Sequence, residues 1–138
     1  MNDLRRFTEA QENNFATALA EIKRDRKQSH WMWYIFPQIA GLGFSPTSKF
    51  YAIKDRDEAE SYLVHPLLSK RLVEISNALL EVQGKTANQI FGSPDDMKLK
   101  SSMTLFGSLE NTNPVFQSVL DKYFEGTKDQ RTLELIDI

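Results

Sequence analysis

"PLLSKRLVEISNALLEV", residues 66–82, is the stretch on which the fold turns. Leu68, Leu72, Ile75, Leu79 and Val82 recur at alternating steps of four and three. That spacing places all five on one stripe of an α-helix, the strongest helical signal in the chain. His65 and Pro66 mark a break and a restart before it, and Gly84 is a natural stop after it.

Reading outward toward the N-terminus, Asp55 with Glu58 has capping-box spacing and starts a helix running through Leu63. Ser45 followed by Pro46 is an N-cap and first-turn pair that opens a helix toward Tyr51. Ser29 can cap a short helix through "HWMWYIFPQ", residues 30–38, which Pro37 ends because the residue before a proline is pushed out of the α region. Thr8 with Gln11 reads as a further capping box. Phe15, Leu19 and Ile22 follow at helical spacing, so one amphipathic helix is expected from Glu9 to about Gln28.

Toward the C-terminus, Thr86 with Gln89 opens a brief helix ending at "FGSP". Ser93 with Pro94 starts a longer one, with Asp95 and Asp96 in the first turn, where the helix dipole favours negative charge. Leu99, Met103 and Phe106 share one of its faces. Asn113 with Pro114 begins another helix, whose broad apolar side carries Val115, Phe116, Val119, Leu120, Tyr123 and Phe124. The tail "RTLELIDI" reads equally as helix or strand. Roughly seven or eight mostly short helices result, too unequal for a repeat array or a long coiled coil. The expected fold is an all-α, compact multi-helix bundle forming a single domain over residues 1–138.

Composition narrows the chemistry. The chain of 138 residues is 41% hydrophobic and 26% charged, as in globular proteins, with little glycine or proline for a disordered linker. Without cysteine there is no disulfide, no thiolate nucleophile and no cysteine-based metal centre. The start "MNDLRRFTEAQ" lacks the apolar region of a secretory signal, and the longest apolar run, Trp31 to Pro37, is far too short to span a bilayer. A cytoplasmic location with no membrane contact is therefore expected. A net charge of -2 argues against a nucleic-acid partner. "KRDRK", residues 23–27, reads as a solvated helix end. The two histidines, 35 residues apart, have no i, i+4 partner, so neither a metal site nor a cofactor is expected.

Seven of the fifteen aromatic residues lie between His30 and Tyr51. On a helix, residues 30, 33, 34 and 37 face one side and 31, 35 and 38 another, so the run cannot be buried on a single stripe. It is either core throughout or the wall of an apolar pocket with polar groups at its rim. Buried indole or phenol groups also require acceptors nearby. Gly41 and Gly43 allow the backbone a close approach to a ligand, the helix start from Ser45 to Ser48 offers free N–H groups, and Lys49 supplies countercharge. Turn formation alone also explains "GLG", which is no dinucleotide fingerprint.

In "SPDDMKLKSSMTLF", residues 93–106, Asp95, Lys98 and Ser102 fall on one helix edge and Asp96, Lys100 and Thr104 on another, which surface pairing explains cheaply. Ser101, Ser102 and Thr104 are hydroxyls in mid-helix, where either close helix packing or a polar cavity would ask for them. His30 is read first as a histidine satisfied within the core and otherwise, of the two histidines, as the better candidate for a general acid or base.

"HWMWYIFPQIAGLGFSPTSKFYAI", "EAESYLVHPLLSKRL" and "IFGSPDDMKLKSSMTLF" resemble the bacterial family catalogued as domain of unknown function 1810, over nearly the whole chain from about Phe7 to Tyr123. The calpastatin label sometimes attached to that family does not fit, since that inhibitor is a disordered repeat protein and this composition is globular. The resemblance implies a mainly helical single domain and no established activity. Positions matching its pattern include His30, Trp31, Trp33, Gln38, Gly41, Gly43, Ser45, Tyr51, His65, Asp95, Asp96, Lys98, Ser101, Ser102 and Thr104.

The functional expectation is a small polar or phosphorylated ligand, a nucleotide or sugar derivative, held in a cleft between the two segments. Trp33 and Tyr34 would stack on it, Gln38 and Ser45 would orient it, and Lys49 or Lys98 would neutralise its charge, with Gly41, Gly43, Tyr51, Asp95, Ser101, Ser102 and Thr104 as further ligand-binding candidates. Should it turn over by hydrolysis or group transfer, His30 or Asp96 would act as acid or base. The alternative is a non-catalytic interaction module whose aromatic segment is core or docking surface.

Overall fold

The computed structural model describes residues 2–137. Ten helices are present among them, more than the seven or eight expected. They are α1 (Arg5–Glu12), α2 (Phe15–Lys23), α3 (Met32–Ile35), α4 (Pro46–Tyr51), α5 (Arg56–Val64), α6 (Pro66–Glu81), α7 (Ala87–Phe91), α8 (Asp95–Gly107), α9 (Val115–Phe124) and α10 (Gln130–Ile136). The β structure among the described residues is a lone parallel bridge between Ile39 and Ile53.

α6 is the axis of the bundle. Leu68, Leu72, Ile75, Leu79 and Val82 are all buried, against α2, α5 and α9. Removing each of these side chains from water is worth roughly 1.5–3 kcal/mol. α6 begins at His65, whose Nδ1 accepts from the N–H groups of Leu67 and Leu68, each at 3.2 Å. α8 packs on α9, α7 and α10. An aromatic chain crosses the interior, from Phe7 to Tyr62 (5.2 Å between centroids), on to Phe106 (5.1 Å) and to Phe116 (6.1 Å).

Four expectations are corrected. The single helix from Glu9 to Gln28 is two, because Asn14 sends its side-chain amide to the Ala10 carbonyl at 2.8 Å. That is the acceptor its own N–H would use in a continuous helix; the N–H turns to Gln11 instead. Thr8 caps nothing, since α1 has already begun at Arg5, and its hydroxyl donates to the Arg5 carbonyl. Ser29 does not cap α3; it binds Glu21. Ser93 does not cap α8, which starts after Pro94 with no side-chain cap.

The starts of α4, α5 and α7 follow the sequence reading. Ser45 accepts from Ser48 N at 3.1 Å, Asp55 accepts from Glu58 N at 2.9 Å, and Thr86 with Gln89 closes a reciprocal capping box. The tail is helical, capped by Asp129.

Candidate functional site

Pro37 ends α3 after one turn and the chain runs extended beside residue 53, with Ala40 N donating to Ile53 O and Ile53 N to Gln38 O, both at 2.8 Å. Gly41 then turns at φ 106°, a conformation a side chain rarely adopts, and lies against the Leu135 side chain of α10. Gly43 sits flush on α4: a Cβ there would come within 2.5 Å of Ser48 Cβ. These contacts hold the loop against α10 and α4. They leave a small cavity of about 10 Å³ lined by Trp33, Gln38, Ile39, Gly43, Ser48, Tyr51 and Ala52, about the room of one water.

Beside it, the Lys98 ammonium of α8 stands 5.3 Å from the Trp33 ring centroid. Lys98 also lies 3.5 Å from Asp95 Oδ1, while Asp95 Oδ2 pairs with Lys27 at 3.0 Å. Lys27 in turn covers the other tryptophan, 5.0 Å from the Trp31 ring, and donates to Ser29 O at 2.6 Å. Two lysines thus share one carboxylate across a pair of indoles.

Trp31 is 1% exposed, and its indole donates to Glu21 Oε1 at 2.9 Å. Glu21 also accepts from Gln28 N, Ser29 N and the Ser29 hydroxyl, at 2.8, 2.9 and 2.6 Å. Burial pushes its carboxyl pKa up, but the Ser29 hydroxyl, the two amides and the indole together outweigh that and hold it down at about 2. Glu21 is therefore a fixed anion that anchors the segment entering α3. The aromatic run divides accordingly: Trp31, Met32, Ile35, Phe36 and Pro37 are core, while Trp33, Tyr34 and Gln38 are half-buried.

Of the residues singled out in the sequence, the structure brings Trp33, Gln38, Gly43 and Tyr51 to the cavity, with Lys98 and Asp95 joined to them through the Trp33 ring. Tyr34 packs on Tyr51 at 5.2 Å between centroids, and burial raises its phenol pKa. The others lie elsewhere. His30, Gly41, Ser45 and Lys49 are exposed. Asp96 accepts from the Asn88 amide at 3.2 Å and from Met97 N at 2.8 Å.

Ser101 and Thr104 face α10: the Ser101 hydroxyl donates to Asp129 Oδ2 at 3.3 Å, and Thr104 Oγ1 accepts from Asp129 N at 3.0 Å. Ser102 is fully buried, with no hydrogen-bond partner for its hydroxyl among the described residues. Glu21 and Lys27 were not read from the sequence as site residues. The buried indole implied an acceptor like Glu21, but its identity is a matter of packing. Lys27 lay hidden in a charge run that looked solvated, yet its side chain is 8% exposed.

No helix among the described residues is long and apolar enough to cross a membrane. A family model described as "Protein of unknown function (DUF1810)" matches residues 1–136. The crystal structure of the conserved hypothetical protein Rv1873 from Mycobacterium tuberculosis is 44% identical in sequence. The match covers 99% of this chain and 97% of that one, with a TM-score of 0.96. No curated protein matches the chain.

Proposed function

The chain belongs to the DUF1810 family, and from that premise we propose that it binds a small polar ligand carrying a phosphate or similar anionic group, where α3, α4 and α8 meet. The observation that carries this reading is the Lys98 ammonium held over the half-buried Trp33 ring beside Gln38 and Tyr51. Among the described residues Asp95 is the one carboxylate within 4.0 Å of either lysine, and it stands closer to Lys27 (3.0 Å) than to Lys98 (3.5 Å), which leaves a positive surplus at Lys98; Asp96 is engaged with Asn88. An anion answers that surplus, and a flat ring or sugar face answers the indole.

A cavity of about 10 Å³ takes a water-sized group, so admission of such a ligand requires the loop of residues 41–45 to lift from α4. The proposal is binding without an assigned reaction, since neither His30 nor Asp96 lines the cavity. Tryptophan fluorescence tests it. Trp31 is shielded in the core, so a ligand at the cavity changes the emission of Trp33. Titration with nucleoside monophosphates, sugar phosphates and inorganic pyrophosphate is expected to give a saturable change with one of these classes. Lys98→Met should weaken it about tenfold or more. No saturable response to any of the three would sink the reading.

A docking role for the same segment is favoured by Phe44 and Phe50, which are 83% and 59% exposed, the first just before and the second on an α4 that buries none of its own residues. In that case the titrations stay flat, and Phe44→Ser with Phe50→Ser abolishes binding to a protein partner while leaving the melting temperature unchanged.

A further inference from the structure

A second surface, distant in sequence from the cavity, has a chemistry of its own. The last turn of α5 and the loop following α8 enclose a groove of about 300 Å³ lined by Glu60, Leu63, Val64, Leu109, Glu110 and Asn111. Leu109, 5% exposed, is held in the core beneath it, whereas Val64 is 79% exposed, an aliphatic side chain left in water at the end of a helix. Glu60 lies one turn before Val64 and so on the same face of α5. Glu110 comes from the other wall. Among the described residues neither carboxylate has an ion-pair partner within 4.0 Å, and the lining holds no cation.

We propose that this groove docks a short segment of another protein: an aliphatic or aromatic anchor that fills the space over Leu109 and Val64, flanked by lysine or arginine on both sides. Charge complementarity selects the flanks, because carboxylates on opposite walls repel an acidic segment and attract lysine or arginine more strongly than a neutral donor. The small volume admits one or two side chains, which makes the contact a transient one. Val64, Glu60 and Glu110 are exposed, so replacing them leaves the core untouched.

Random dodecapeptides displayed on phage and selected on the full chain test the idea, with recovered peptides titrated by fluorescence anisotropy. The expected result is enrichment of an apolar anchor between basic residues. Affinity should fall at least about tenfold in Val64→Asp and in the Glu60→Lys, Glu110→Lys double variant, and should weaken with added salt. A repeat selection on the double variant should turn toward acidic flanks. Enrichment without basic flanks, or affinity indifferent to both variants, overturns the proposal. Self-association in sedimentation that Val64→Asp abolishes also overturns it, by assigning the groove to a second copy of the chain.

Discussion

Glu21 accepts four hydrogen bonds from a segment without regular secondary structure, and it holds Trp31 by the indole nitrogen. Glu21→Ala leaves that indole and two backbone N–H groups without their acceptor, at about 1–3 kcal/mol for each buried group. The expected outcome is a loss of at least about 3 kcal/mol in urea unfolding at neutral pH. The acid dependence has a definite sign. A carboxyl at about 2 in the folded chain lies below its ordinary value of 4.5, so its contribution is complete above that ordinary value. It drains away as pH falls from there toward about 2. Wild type should therefore lose on the order of 3 kcal/mol over this range on account of Glu21, and Glu21→Ala should show a correspondingly flatter acid limb.

At the scale of the element, the helices differ in what holds them. α6 buries a full stripe and would survive the loss of any one cap. α4 fully buries no residue; beyond the half-buried Tyr51 packed on Tyr34 and Phe7, it rests on Pro46 in its first turn and on the Ser45 side chain that accepts from Ser48 N. Ser45→Ala should therefore cost about 1 kcal/mol locally. The loss should appear as faster hydrogen exchange of the α4 amides, with the melting temperature of the whole chain hardly changed. An equal drop in the stability of every helix would show that α4 is integral to the cooperative core.

At the scale of the whole molecule, α10 ties two distant regions together. Its cap, Asp129, takes the hydroxyls of Ser101 and Thr132 and gives its own N–H to Thr104. At its far end Leu135 lies on Gly41, and Asp137 next to it pairs with Arg56 at 3.0 Å. Asp129→Ala removes the cap and frees the turn from α8. It is expected to speed proteolysis of the C-terminal tail and, through Leu135, hydrogen exchange in the loop around Gly41. Exchange at that loop unchanged while the tail is cleaved faster would mean that α10 does not support it.

The stripe of α6, the caps Ser45, Asp55 and Thr86, and the stop at Pro37 were all determined by the sequence alone, since a stripe is a repeat and a cap reaches only two or three residues along the chain. The tertiary structure decided the rest. A helical period places Ser101, Ser102 and Thr104 on known sides of α8, but which side meets α10, the core or Trp33 depends on where the other helices lie. Glu21 for Trp31, and Asp95 for both Lys27 and Lys98, are choices among many carboxylates of like chemistry. Only packing makes one of them near, and only burial makes the pairing strong.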